Sequence, residues 1–279
     1  MTPSTPRLVP TAVLTMAALA AAAPAVLAQD IIPSHCIALS QAQPERLWHA
    51  GFGEPLARDQ VRLHYVGHAT FTLETPGGQI AATDYTGFLG NPDVVPDVVT
   101  MNNSHSTHWT SNPDPRIPHV LSGWPQDGQP AWHELETGDL LVRNVTTDTR
   151  GPFGEGARAN GNSIFIFEAA GLCIGHLGHL HQIPSPAQYA AIGRLDVVMV
   201  PVDGGYTMDV ASMAGVVKEL RASVVVPMHW FSGASLEQFL VEMSSEFEIR
   251  RAGGPEAEFS LASLPDRPTV LVLEPSLLP

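Results

Sequence analysis

The chain has 279 residues, with 28 Asp plus Glu against 14 Lys plus Arg, and its formal net charge is −14. This acidic balance argues against nucleic acids and anionic membranes as partners, because phosphate binding needs clustered cations. The length suits one large domain or two small ones, and the 44% hydrophobic content allows a sizeable core. Gly and Pro are plentiful but scattered between apolar runs, which is typical of a loop-rich globular fold.

Residues 1–28 have the pattern of a secretory signal peptide. Arg7 supplies a short basic region, an Ala-rich apolar run follows, and small residues occupy positions −3 and −1 of a cut after Ala28. The alternative is a membrane anchor, but Pro10, Pro24 and the short apolar run argue against it. No later run is long and apolar enough to span a bilayer. We therefore expect a periplasmic or secreted protein without a stable membrane anchor.

The remaining residues, 29–279, are predicted to form a single domain, with 29–58 as a Pro-containing lead-in. Strands dominate the first half, strands alternate with helices in the second, and no internal linker divides them. The predicted strands are 61–67, 70–75, 77–84, 96–101, 139–147, 162–169, 171–176, 196–202, 223–230 and 268–275. The predicted helices are 184–193, 208–222 and 235–246, and 252–268 is predicted to be a surface loop.

The chain contains two cysteines, Cys36 and Cys173. Export to an oxidising compartment permits a disulfide between them. The alternative is a buried Cys173 inside a strand and a free Cys36. Sequence alone cannot place the two side chains, so both interpretations stay open.

Histidine is unusually frequent, with twelve residues. Six of these follow or end predicted strands: His105, His108, His176, His179, His181 and His229. The carboxyl ends of separate strands can converge on one edge of a sheet, and imidazole is a good ligand for zinc. The six histidines lie in three separate segments, at 105–108, 176–181 and 229. Together these segments predict a metal site. The other histidines are interpreted as structural or surface residues: His35, His49, His64, His68, His119 and His133.

Four blocks of this sequence resemble the metallo-β-lactamase superfamily, in particular the branch with ascorbate-phosphate lactonase and N-acyl-phosphatidylethanolamine phospholipase-like enzymes. The blocks are HYVGHATFTLETPGGQIAATDYTGF, NSIFIFEAAGLCIGHLGHLHQ, DVVMVPVDGGYTMD and VVVPMHW. Their order and spacing agree with the family between about residues 61 and 232. The resemblance implies an α/β fold, a four-layer αβ/βα sandwich of two mixed β-sheets flanked by helices.

The metal motif departs from the family pattern His-x-His-x-Asp-His. The matching positions here are Asn103, His105, Thr107 and His108. The resemblance also places His179 where the family has a metal-binding Asp, Thr149 where it has a further His, and His229 at the last ligand.

The resemblance leaves His105, His108, His179 and His229 as the expected ligands. This ligand set has fewer carboxylates than that of the family, so it would compensate the charge of two dications poorly. We therefore expect one divalent metal, and we expect zinc rather than Cu²⁺ or Ni²⁺.

Several nearby residues have candidate roles beside the metal. His181 is the candidate general acid or base, and Asp84 and His176 are candidates to orient ligand imidazoles. Asp203 and Tyr206 follow a strand and either contact substrate or form a plain turn. Asn103 is a further candidate beside the metal or substrate, and Asp148 is a candidate compensating carboxylate.

These features favour an exported metal-dependent hydrolase that uses an activated water on an ester, lactone, amide or phosphodiester of a small molecule. The alternative is a catalytically degenerate metal-binding or ligand-binding protein on the same fold, because fold does not imply function. The sequence has no Gly-x-Ser-x-Gly elbow and no Walker or Rossmann glycine signature, so it offers no competing chemistry.

Overall fold

The computed structural model describes Met1 and residues 34–37, 51–150 and 156–279. Residues 34–279 belong to one compact unit. The predicted signal peptide and most of the predicted lead-in lie outside the described residues.

The described part of the chain forms strands and helices with these bounds: β1 Val61–Gly67, β2 Thr70–Glu74, β3 Ile80–Ala82, β4 Val98–Met101, β5 His119–Ser122, β6 Glu134–Thr137, β7 Leu140–Arg150, β8 Ala157–Ala169, β9 Leu172–His176, α1 Pro186–Ile192, β10 Val197–Pro201, α2 Val210–Leu220, β11 Val224–Met228, α3 Gly233–Met243, β12 Glu248–Arg251, β13 Glu256–Phe259 and β14 Thr269–Val272. Among these helices, none has the length and apolar character that crossing a membrane requires.

These strands build two mixed sheets. The six-stranded sheet has the order β13-β1-β2-β3-β4-β5, and β3, β4 and β5 run parallel. The eight-stranded sheet has the order β12-β14-β11-β10-β9-β8-β7-β6, and its first five strands run parallel. Two mixed sheets with flanking helices are the predicted architecture, so the fold prediction is confirmed.

The alternation of side chains along β10 shows where the two main cores lie. Val197 and Met199 belong to the core between the sheets, whereas Val198 and Val200 belong to the core beneath the helices. Successive side chains of a strand point to opposite faces, so a strand that is covered on both sides is apolar throughout. A smaller cluster beside the six-stranded sheet packs against loop residues that include Trp109 and Trp124.

The prediction of a loop over 252–268 is wrong for β13, which pairs antiparallel with β1. Its acidic residues hid the strand, because they pair with basic residues directly opposite in the sheet. Glu258 Oε1 accepts hydrogen bonds from Arg62 Nη2 at 2.7 Å and Arg62 Nε at 3.1 Å. The polar residues of this edge are therefore cross-strand partners rather than loop residues.

A disulfide joins Cys36 to Cys173 on β9 and closes a separation of 137 residues. Neighbouring contacts hold the same segment, since Glu168 accepts hydrogen bonds from Ser34 Oγ at 2.6 Å and the His35 backbone N–H at 2.9 Å. Of the two open alternatives, the structure selects the bridge. It ties residues 34–37 to the eight-stranded sheet.

Replacing both cysteines with serine is expected to lower the free energy of unfolding by about 2–4 kcal/mol, because the bridge restricts the unfolded chain. Denaturant unfolding of Cys36→Ser/Cys173→Ser and the parent measures the loss. Reductant is expected to bring the parent to the stability of the double variant and leave the double variant unchanged. Equal stability of the two proteins without reductant contradicts the prediction.

Candidate metal centre

Side chains of both sheets meet at the edge formed by the carboxyl ends of parallel strands. In β1, β3 and β4, and in β9, β10 and β11, these ends share a direction within their sheets. The residues that follow them are His68, Asp84, His108, His179, Asp203 and His229. The topology therefore gathers residues that are up to 161 positions apart, from His68 to His229.

Two buried imidazoles face each other at the centre of this group. His108 Nε2 lies 3.2 Å from His229 Nε2. The other nitrogen of each ring is held by a carboxylate: His108 Nδ1 lies 2.5 Å from Asp84 Oδ2, and His229 Nδ1 lies 2.9 Å from Asp203 Oδ2. When each Nδ1–H donates to its carboxylate, both Nε2 lone pairs point at the same position.

His68 completes the group. One nitrogen of each of His68, His108 and His229 lies within 4.8 Å of the others, and the His68 and His229 ring centroids are 4.0 Å apart. His68 Nε2 is buried without a hydrogen-bond partner among the described residues, although buried polar atoms are normally paired. Two nitrogens that ligate one tetrahedral Zn²⁺ are about 3.3 Å apart, so this donor set fits a divalent metal.

His68, which the sequence places among the structural or surface histidines, is both a turn residue and a member of the central group. Its φ is 55° and that of His229 is 59°, in the left-handed region that non-glycine residues seldom adopt. The His68 carbonyl accepts hydrogen bonds from the His229 backbone N–H and from Tyr65 Oη, each at 2.8 Å. These contacts hold a strained backbone of the kind that clusters at functional sites.

Burial favours the neutral form of His68 and His108. It lowers the pKa of His68 to about 3 and, with the nearby His229, moves the pKa of His108 well below its usual range. Burial also raises the pKa of Asp84 to about 7, against the opposing effects of His176 and the Asn102 N–H. Burial alone would raise the pKa of Asp203, but hydrogen bonds from His229 and Thr207 hold it below its usual range. Neutral imidazoles offer the lone pairs that a metal needs.

His105, a predicted ligand, lies outside the group of three. Its side chain is exposed, and its Nδ1 lies 3.0 Å from Thr107 Oγ1. Its ring centroid is 6.0 Å from that of His108 and 5.7 Å from that of His179. The structure thus brings His108 and His229 together as predicted, adds His68, and sets His105 beside the centre.

His179 lies next to the centre, with its ring centroid 4.6 Å from that of His108. Its protonation follows from its neighbours. The Arg150 backbone N–H donates to His181 Nδ1 at 2.7 Å, so a proton on His181 must sit on Nε2. His181 Nε2 lies 2.6 Å from His179 Nδ1 and donates to it. Neutral His179 then carries its proton on Nε2, which suits a hydrogen-bond donor better than a metal ligand.

The backbone holds His179 through a close contact at Gly178. Gly178 has φ +60°, and a Cβ there would lie 2.2 Å from Asn102 Nδ2 and 2.5 Å from Asn162 Oδ1. Asn162 Oδ1 accepts the His179 backbone N–H at 2.7 Å. A glycine is therefore required immediately before His179.

The remaining predicted residues divide between the site and the scaffold. Asp84 orients His108 as predicted, and Asp203 both orients His229 and closes a turn by accepting the backbone N–H groups of residues 205–207. His176 orients none of the three grouped imidazoles in the described structure: its Nε2 donates to the Ala69 carbonyl, and its Nδ1 accepts from Asn102. Asp148 accepts the Asn160 N–H at the far end of the β7–β8 hairpin.

A cavity of about 580 Å³ opens beside His179 and His181. Its lining includes the predicted residues Asn103 and Tyr206 and two arginines that sequence reasoning missed, Arg150 and Arg158. A cavity of this size accommodates a small organic molecule.

Replacing His68 with alanine is expected to reduce bound zinc to well below one equivalent, because it removes one of three converging nitrogens. His105→Ala, the matched control, is expected to keep the parent's zinc content. Elemental analysis of the purified proteins measures both. If His68→Ala keeps its full zinc content, or if only His105→Ala loses zinc, the result would favour the ligand set expected from the sequence, which contains His105 and not His68.

Asp203→Asn is expected to weaken zinc binding by about 10–100-fold, because a neutral amide orients and polarises His229 less well than a carboxylate. Competition with a chelator measures the affinity. Asp148→Asn removes the same charge at a carboxylate that contacts Asn160 instead, and we expect it to bind as tightly as the parent. Equal affinities of the two variants would contradict the role of Asp203.

Known proteins are similar to this chain in sequence and in fold. A UPF0173 protein of Pyrococcus furiosus is 25% identical over 205 residues, which cover 66% of this chain and 90% of that protein. A UPF0173 metal-dependent hydrolase of Anaeromyxobacter dehalogenans is 26% identical over 234 residues, covering 70% and 85%.

A solved structure of a proposed Zn-dependent hydrolase of the metallo-β-lactamase superfamily from Thermotoga maritima has a TM-score of 0.56 and 26% identity, and covers 77% of this chain and 99% of that one. The metallo hydrolase Igni18 of Ignicoccus hospitalis is similar in fold, with a TM-score of 0.52, 20% identity, and coverage of 78% and 96%. The family model of the beta-lactamase superfamily domain matches residues 62–229, more than half of the chain. The chain therefore belongs to the metallo-β-lactamase superfamily.

Proposed function

We propose that this protein is a metal-dependent hydrolase that uses water to cleave an ester, lactone, amide or phosphodiester of a small molecule. The observation that carries the proposal is the pair of Nε2 atoms 3.2 Å apart on His108 and His229, each ring held through Nδ1 by a buried carboxylate. Relatives from Anaeromyxobacter that cover most of the domain are named metal-dependent hydrolases, which supports the assignment.

The metal in this proposal is one divalent ion, with zinc as the best match, held by His68, His108 and His229. Three converging imidazoles, two of them held by carboxylates through Nδ1, are typical of a catalytic zinc site with one position left for water or substrate. When bound, the ion supplies Lewis acidity that lowers the pKa of a water and polarises the scissile bond.

The residues around the centre then divide the remaining work. Asp84 and Asp203 fix the orientation of their imidazoles, so that no reorganisation is needed when charge develops. His179 presents its Nε2–H beside the centre, where it donates a hydrogen bond to the negative charge that develops on the reacting oxygen, and His181 holds this tautomer through the 2.6 Å contact with His179 Nδ1. This assigns stabilisation of the developing charge to His179, with His181 as the residue that orients it.

We further propose that the protein is exported, to the periplasm or the medium. The signal-peptide pattern of residues 1–28 supports this location. The Cys36–Cys173 disulfide supports it independently, because such bridges persist in oxidising compartments.

Turnover of ester, lactone and phosphodiester probes by the zinc-loaded protein tests the proposed activity. His229→Ala is expected to lose both zinc and turnover. His179→Ala is expected to keep zinc and to lose about 10²–10³-fold in kcat, the usual contribution of one donor to the developing negative charge. Zinc binding without turnover of any probe would instead favour the metal-binding protein that sequence analysis left as the alternative.

A further inference from the structure

The cavity beside the centre has a charge opposite to that of the whole protein. The chain carries a net charge of −14, yet the described residues that line the cavity include Arg150 and Arg158 and no Asp or Glu. A cleft lined by one sign of charge raises the local concentration of ligands of the opposite sign. The described lining therefore favours anionic ligands, in contrast to the acidic character of the chain as a whole.

The two arginines sit on one β-hairpin but have different partners. Arg150 ends β7, and its Nη2 donates to the carbonyls of Gly205, Tyr206 and Thr207 at 2.7–2.8 Å. This guanidinium is occupied in holding the turn that contains residues 205–207. Its charge contributes to the cavity, but its geometry is fixed by the protein.

Arg158 near the start of β8 is differently placed. It lies opposite Thr149 in the β7–β8 ladder, its side chain is exposed, and its Nη1 donates to Ser104 Oγ at 2.8 Å. Among the described residues it has no carboxylate partner, whereas Arg62, Arg116 and Arg143 each have one. A guanidinium has five N–H donors in a planar fork that matches a carboxylate or phosphate.

Neutral hydrogen-bonding groups surround this guanidinium. Asn103, Ser104 and Thr149 line the same cavity. Asn103 and Thr149 stand at positions where the family resemblance expects metal ligands, and neither offers a charged donor. The positions that would help to bind a second ion in the family therefore lie beside Arg158 and carry neutral polar side chains here.

We propose that Arg158 binds an oxyanion of the substrate, a carboxylate or a phosphate, while the scissile bond lies at the three-histidine centre. This inference rests on the proposed hydrolase function and names its substrate class: small anionic esters or amides. Arg158 is a specificity-determining residue, and Arg150 positions the adjoining turn.

Two 4-nitrophenyl esters with the same leaving group test the preference, one with a neutral butyryl group and one with an anionic succinyl group. Arg158→Gln is expected to lower kcat/KM for the succinyl ester by about ten- to a hundredfold, the effect of losing one charged hydrogen-bond partner. The butyryl ester is expected to react unchanged. Arg116→Gln removes the same charge from an exposed pair with Asp114 and is expected to alter neither rate.

Calorimetric binding of inorganic phosphate and of acetate to the zinc-loaded proteins tests the anion site without turnover. Weaker binding by Arg158→Gln than by Arg116→Gln supports the site, and the anion with the larger difference identifies the preferred oxyanion. If no ester is hydrolysed but this difference persists, the hydrolase proposal fails and the anion site stands. Equal binding by both variants, or an equal loss for both esters, overturns the role of Arg158.

Discussion

Two buried imidazole–carboxylate hydrogen bonds determine what the centre of this protein can do. Asp84 holds His108 and Asp203 holds His229, each through Nδ1. A neutral imidazole has one donor and one acceptor nitrogen, so fixing the donor on Nδ1 presents the Nε2 lone pair. The two Nε2 lone pairs face each other in a buried site, and they repel unless a cation or a proton lies between them. This repulsion is the physical reason to expect a cation at the centre.

The scaffold keeps this arrangement in place. His68, Asp84 and His229 all have positive φ values of 41–59°, a conformation that costs non-glycine residues about 1–3 kcal/mol each. That strain persists because the strands before these residues belong to sheets with large apolar cores. Buried ion pairs such as Arg62 with Glu258 fix the edge of the smaller sheet, and the disulfide fixes residues 34–37 to the larger one.

The charge pattern of the site links its metal to its substrate. Compared with the superfamily pattern, this chain has Asn103 and Thr149 in place of histidine ligands, and Thr107 and His179 in place of aspartates that would compensate a second dication. An arginine side chain and neutral polar groups line the neighbouring cavity instead. In our proposals, one divalent ion at the three-histidine centre and the Arg158 guanidinium would give the pocket two positive centres of different kinds. One of them suits the scissile group, and the other suits an anion at the end of the substrate.

The sequence predicted most central strands and the three helices, because apolar runs with period 2 or 3.6 are properties of contiguous residues. It missed β5, β6, β12 and β13, which are short. In β13 the acidic residues have partners on β1 that are almost 200 positions away. Family spacing likewise predicted His108 and His229, since each ends or follows a recognisable strand.

By itself, the sequence therefore determined the superfamily fold, two of the three grouped histidines, and the carboxylate behind His108. Only the tertiary structure decided that His68 joins them, that His105 stands aside, that Asp203 orients His229, and that Cys36 bridges to Cys173. It also decided that the proton on neutral His179 sits on Nε2. Each of these depends on the position of one ring nitrogen or sulfur relative to atoms on a distant strand, and local patterns carry no record of that distance.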